Sequence, residues 1–226
     1  MGPKHMRIGI LVPSSNTALE PLTTQILSPI PNLCPLHPLQ TKVLDAAQLV
    51  ADAAVDVIGW SGTSAGWLGF DVDETRCTTI QENTGVWATT STLALNKALA
   101  KLGVRKLGLV TPYTGDVVDA IAKDYAGIGV EVSRERHLSR IDNVNLAGLG
   151  AETFDPMVEG LVQGEDGVHA VAMFCTNLST AGLVEGWEGD FGVPVLESVT
   201  IVVWDCLKIC GFDTKQVNGW GRLMEL

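Results

Sequence analysis

RIGILVPSSN, residues 7–16, is an apolar run that stops at Pro-Ser-Ser-Asn, and KLGLVTPYTG, residues 106–115, repeats its outline 99 positions later. Aligning the two pairs Gly9 with Gly108 and Pro13 with Pro112. A second pair, VDVIGWSGTS from Val55 and VHAVAMFCTN from Val168, stands 113 positions apart. It matches Thr63 with Thr176 and sets Gly62 opposite Cys175. Short apolar runs bounded by Gly, Pro and Ser read as buried strands. Each of these four ends in small polar residues, and the carboxyl edge of an open α/β sheet is where such sheets bind ligands.

Between the strands, TALEPLTTQIL, DAAQLVADAA, ATTSTLALNKALAKLG and DVVDAIAKDYAGIG carry helical patterns, several closed by Gly. The alternation predicts an α/β protein with parallel sheets. The internal correspondence predicts two similar Rossmann-like halves, related by a pseudo-twofold axis, with the site in the cleft between them. The expected division is 6–102 for the first half and 103–197 for the second, with a last helix at about 198–211 packing back on the first half.

The chain has 226 residues, 46% hydrophobic and 18% charged, which suits a well-buried core. A formal charge of −11 with no Lys/Arg cluster argues against nucleic acid and anionic lipid as partners. No apolar run approaches the ~18–20 residues of a membrane span, and no secretory signal is legible, so a cytoplasmic location is expected. A homo-oligomer is left open. The opening MGPKH (1–5) reads as a cloning remnant, which puts the natural start at Met6 and gives His5 no weight.

Five cysteines (Cys34, Cys77, Cys175, Cys206 and Cys210) form an odd set without CxxC spacing, hence free thiols rather than disulfides or a zinc site. Cys206 and Cys210 share one helix face as small buried side chains. The strand ends present Pro13, Ser14, Ser15, Asn16 and Thr17; Gly62, Thr63 and Ser64; Thr111, Pro112, Tyr113 and Thr114; and Cys175, Thr176 and Asn177. None is Lys or Arg, yet hydroxyls, amides and helix-start N–H groups suit a small carboxylate and the oxyanion that grows from it. The ordinary role of such Ser and Thr residues is to cap helices.

Cys175 is the thiol at a strand end before an expected helix, where N–H groups and the helix dipole should lower its pKa. It is the expected catalytic residue. His169 precedes it on the strand, and His37 and His137 lie in unassigned loops, so no Cys-His hydrolase pattern forms. No HExxH, phosphate loop or dinucleotide fingerprint occurs, and no cofactor or metal is expected. Among Trp60, Trp67 and Trp87, only Trp67 lies beyond the strand end and is expected to wall a pocket.

GILVPSSNTALE, GTSAGW, TPYTGDVVDA and FCTNLSTAG, in this order, resemble the aspartate/glutamate racemase superfamily, in particular its maleate cis-trans isomerase and arylmalonate decarboxylase branch. The resemblance spans Met6 to about Gly211. It implies that Cys175 falls on the second of two facing catalytic cysteines, while Gly62 stands at the first. That departure is the pattern of the arylmalonate decarboxylases; VPSSN and CTN stand closer to the isomerases.

Glycine can be neither acid nor base, so two-sided racemase chemistry loses one partner, and isomerisation through a thiol adduct loses its nucleophile. A site remains that holds a dicarboxylate and delivers a proton from one side. By the resemblance, Thr63, Ser64, Tyr113, Thr176 and Asn177 supply donors, Asn16 orients the second carboxylate, Cys175 protonates an enediolate-like intermediate, and Gly62 leaves room for a substituent or a departing carboxylate. The expectation is a cofactor-independent decarboxylase of a malonate-type, aryl-substituted or smaller, dicarboxylic acid. The alternatives are an isomerase or racemase in which another group, such as Cys77, replaces the missing thiol, and a carboxylate-binding protein without turnover.

Overall fold

A computed structural model describes residues 6–31, 33–36, 39–40, 43–164 and 167–226. His5 and His37 lie outside the described residues. The first sheet comprises β1 (Met6–Pro13), β2 (Leu33–Leu36), β3 (Leu39–Gln40), β4 (Val57–Trp60) and β5 (Trp87–Thr90). Its order is β2-β1-β4-β5, with β3 also paired to β1, and every pairing is parallel. The second comprises β6 (Lys106–Thr111), β7 (Glu131–His137), β8 (Ala170–Met173) and β9 (Val195–Glu197), in the order β7-β6-β8-β9, again all parallel. Both sheets thus place their first strand second in the order, between the strand that follows it and a later one, β4 in the first sheet and β8 in the second.

The helices that join and cover these strands are α1 (Leu19–Leu27), α2 (Val43–Asp52), α3 (Ala65–Leu68), α4 (Phe70–Thr84), α5 (Ser91–Leu102), α6 (Gly115–Gly127), α7 (Ala151–Val162), α8 (Val184–Phe191) and α9 (Ser198–Ile209). The central strands are buried along nearly their whole length. That burial on both faces explains why they read as continuous Val/Ile/Leu runs rather than as alternating patterns. The largest apolar cluster runs through both sheets, from Ile8 and Ile10 through Leu107 and Leu109 to Phe174 and α9.

ATTSTLALNKALAKLG, expected to be wholly helical, instead opens as β5, whose Thr89 and Thr90 pair with Gly59 and Trp60. β-branched threonines favour the pleated backbone, and the helix starts only where Thr90 Oγ1 accepts the Leu93 N–H at 3.1 Å. It ends at Gly103, whose φ of 65° only glycine adopts without strain. α9 lies against α5, β4, β5 and α1. Gly59 makes this close approach: a side chain there would begin 2.9 Å from Cys206 Sγ, so Cys206 is an interior packing group on α9.

No helix among the described residues is long and apolar enough to cross a membrane.

Candidate active site

A cavity of about 300 Å³ opens where the carboxyl ends of β1, β4, β6 and β8 converge. β1 contributes Pro13 and Asn16, and the turn after β4 contributes Gly62, Thr63 and Ser64, with Trp60 and Trp67 to either side. From the other sheet come Tyr113, beyond β6, and Cys175 and Thr176, beyond β8; Asn143, from the segment between β7 and α7, completes the wall. None of these lining residues carries a formal charge, and the ionisable groups among them are the Cys175 thiol and the Tyr113 phenol.

A hydrogen bond crosses the cavity. Thr63 Oγ1 lies 2.8 Å from Tyr113 Oη, and the Tyr113 phenol is close enough to the Cys175 thiol for each to shift the other's pKa. The Tyr113 ring is fixed edge-on against Trp67, centroids 4.8 Å apart. The backbone N–H of Asn177 donates to Cys175 Sγ at 3.4 Å.

Cys175 is only 3% exposed. Burial pushes its pKa up, against smaller opposing effects from the Asn177 N–H and Tyr113, while Glu197 pushes it further up. The expected lowering by a helix start does not occur. Cys175 is followed by turns, and the next α-helix begins only at Val184, so the helix start expected directly after the sulfur is missing. The residue is therefore held as a neutral thiol, the form that donates a proton. Tyr113 is likewise pushed well above its usual range, by burial first and then by the neighbouring Cys175.

The expected site residues divide into those that face the cavity and those that hold it together. Pro13, Asn16, Gly62, Thr63, Ser64, Tyr113, Cys175 and Thr176 line it. Asn16, however, has its amide committed. Nδ2 donates to Thr176 O at 2.8 Å and Thr176 Oγ1 at 3.1 Å, and Oδ1 accepts the Ala18 and Leu19 N–H groups, each at 3.0 Å. It thus caps α1 and ties it to the second sheet, with no N–H left to orient a carboxylate. Thr176 Oγ1 in turn reaches Ser61 O at 3.3 Å.

Asn177 faces away from the cavity. Its Oδ1 accepts from Thr17 N at 2.9 Å and its Nδ2 donates to Asn143 O at 2.6 Å, so it latches two loops. Ser14 and Ser15 are exposed outside the cavity, and Ser15 Oγ accepts from Asn143 Nδ2 at 2.9 Å. Thr114 caps the backbone start of α6 and bonds Asp116, also outside the cavity.

Gly62 also differs from expectation. A Cβ at this position would lie 2.6 Å from Trp60 Nε1 and 2.8 Å from Cε2, so the space a side chain would take is filled by the Trp60 indole. Trp60 therefore walls the cavity together with Trp67, whereas Trp87 is 61% exposed on β5. Cys77, on α4, lies outside the cavity lining, with burial pushing its pKa up to about 11. His169 accepts from Arg105 N at the opposite, amino end of β8, and His137 pairs with Glu135.

Two residues went unread in the sequence. Asn143 sits in a segment without periodicity. Glu197 ends β9 opposite Met173 and caps α9, its Oε2 accepting from Val199 N, Thr200 N and Thr200 Oγ1 at 2.8–2.9 Å. Its Oε1 is buried without a partner, and burial pushes its pKa up to about 7. Glu197-Ser198 at a strand-to-helix junction was the signal available for it.

Two parallel α/β sheets whose carboxyl edges meet over one buried thiol, with neutral hydroxyl groups around it, define a two-sheet α/β cleft protein with its ionisable thiol in the cleft. Among the described residues no His/Cys/Asp/Glu group is placed to hold a metal ion. The chain belongs to the arylmalonate decarboxylase family, whose sequence model matches residues 37–224. It is similar to an arylmalonate decarboxylase of Bordetella bronchiseptica, 27% identical over 193 residues covering 81% of this chain and 77% of the relative. It is similar also to a maleate isomerase of Alcaligenes faecalis, 26% identical over 242 residues covering 95% of each.

Among solved structures, a Nocardia farcinica maleate cis-trans isomerase with a covalently bound succinylcysteine intermediate superposes with a TM-score of 0.85 at 24% identity, covering 97% of this chain and 98% of that one. An arylmalonate decarboxylase superposes at 0.83 and 23% identity, covering 97% and 99%. The fold and the branch are those the motifs implied, and the protein is an enzyme of this family.

Proposed function

We propose that this enzyme decarboxylates a small malonate-type dicarboxylic acid bearing a planar apolar substituent, without a cofactor. The observation that carries this reading is that Cys175 is the one thiol among the described cavity-lining residues, facing a turn that has Gly62 where a second thiol would stand. In this reading one carboxylate is held by the hydroxyls of Thr63, Ser64 and Tyr113. The other loses its bond to the α-carbon and leaves as carbon dioxide, and the bonding pair delocalises into the retained carboxylate as an enediolate.

Neutral donors placed where that charge grows stabilise it in a site of low dielectric. The Cys175 thiol then gives its proton to the α-carbon, and the resulting thiolate regains one from water. The elevated pKa of Cys175 supports this role, because the acid must be protonated at neutral pH when the carbanion forms. Trp60, Trp67 and Tyr113 supply the apolar wall for the substituent.

A second reading, maleate isomerisation, is favoured by relatives of that name that match over nearly the full chain. The decisive experiment incubates the enzyme with 2-methyl-2-phenylmalonate and, separately, with maleate, following carbon dioxide release and fumarate formation. Carbon dioxide release from the malonate alone is expected. Fumarate from maleate with no malonate turnover overturns the proposal.

A further inference from the structure

Trp60 is the last residue of β4, on the same strand face as Ile58, and its side chain packs at the edge of the cluster of Leu11, Ala46, Val50 and Ile80. Two residues later the chain turns so that the Cα of Gly62 lies against the indole edge. A Cβ there would stand 2.6, 2.8 and 3.0 Å from Nε1, Cε2 and Cζ2. Non-bonded carbons rest about 3.5–4.0 Å apart, so ring and side chain exclude each other. The ring is braced by the Arg76 guanidinium, 5.1 Å from its centroid, and Arg76 is itself paired with the fully buried Asp73. Trp60 Nε1 is buried and has no hydrogen-bond acceptor, so packing and stacking, rather than a bond of its own, hold the ring in place.

We propose that Trp60 is the specificity-determining residue of this site: its indole occupies the seat of a second thiol and confines proton exchange with the α-carbon to the Cys175 face. The inference rests on the decarboxylase reading for its chemistry, and on the packing of residues 60 and 62 for its geometry. An indole N–H is a donor that does not titrate in the range where enzymes work, so the wall at Gly62 has no acid or base to offer. Gly62 by itself does not leave an empty place for a new thiol. A cysteine at 62 needs the ring to go first.

The test compares wild type, Gly62→Cys, Trp60→Val and the double variant. Thermal unfolding reads the packing: Gly62→Cys alone is expected to lower the midpoint by about 3–10 °C through overpacking, and Trp60→Val to relieve most of that drop in the double variant. Loss of the α-hydrogen of an enantiopure 2-arylpropionate in D2O, followed by NMR, reads the chemistry. Wild type and Gly62→Cys are expected to leave it in place, and the double variant to exchange it at least tenfold faster than either.

Additive effects on the midpoint, or exchange by Gly62→Cys as fast as by the double variant, overturn the inference. So does a double variant that folds and shows no exchange while the wild type decarboxylates its malonate. Failure of the wild type to release carbon dioxide counts against the proposed reaction instead, and the coupling of residues 60 and 62 is read from stability regardless.

Discussion

Thr63 Oγ1 and Tyr113 Oη lie 2.8 Å apart across the cavity, one carried by the turn after β4 and the other by the turn after β6. The bond joins the carboxyl edges of the two sheets in the cavity that Cys175 also lines. Tyr113→Phe keeps the ring against Trp67 and removes the hydroxyl. The expected result is a fall in kcat of about 10²–10³-fold, in the range of a lost transition-state donor, with the unfolding midpoint nearly unchanged. Steady-state kinetics on the malonate, with a denaturant titration in parallel, check it.

Cys175→Ser replaces a proton donor by a much weaker acid of similar size. Turnover is expected to drop by about 10²–10⁴-fold, the usual contribution of a positioned acid, while the affinity for a dicarboxylate inhibitor changes little. Since burial holds the wild-type thiol protonated above the ordinary range for cysteine, kcat should stay level through neutral pH. It should fall only on the alkaline side. A loss of kcat as pH rises from 6 to 8 speaks against Cys175 as the acid.

Glu197 links stability to pH. Its folded-state pKa, pushed up to about 7 from the ordinary 4.5, means that the folded protein binds the proton more tightly than the unfolded chain. The associated stability is present below the unfolded value and is lost as pH rises from about 4.5 to about 7. Glu197→Gln keeps an acceptor for the start of α9 and does not titrate. Relative to this variant the wild type should lose about 3 kcal/mol across that window, at 1.36 kcal/mol per pKa unit. Parallel denaturation curves at pH 5 and 7.5 read the difference, and equal slopes for the two proteins refute it.

Asn16→Ala removes the cap of α1 and both bonds to Thr176. One lost cap and two lost bonds of this kind cost about 2–3 kcal/mol in all, because their buried partners are left unsatisfied. Urea unfolding measures the loss. KM should rise together with it, since Thr176 is held in place through Asn16. An effect on KM without one on stability points instead to direct contact with substrate.

The sequence by itself carried the two parallel sheets and the strand ends that line the cavity. β1, β4, β6 and β8 are buried on both faces, so their Val/Ile/Leu runs are uninterrupted, and the paired motifs at their ends survive as a visible repeat. Edge and short strands such as β5, β7 and β9 lacked that signal; β7 is mostly charged and half-exposed, and β5 is threonine-rich ahead of a helix.

What only the tertiary structure decided is which polar side chains face inward. Asn16 and Asn177 have the right chemistry at the right strand ends, yet their amides bond groups 160 positions away in sequence, while Thr114 is taken up by the start of its own helix. Trp60 likewise fills the space beside Gly62 because a strand turns back on its own last residue. Strand identity depends on local apolar pattern, which a chain displays residue by residue. The direction of a polar group depends on which partner from elsewhere satisfies it first, and that is settled only when the two sheets are packed together.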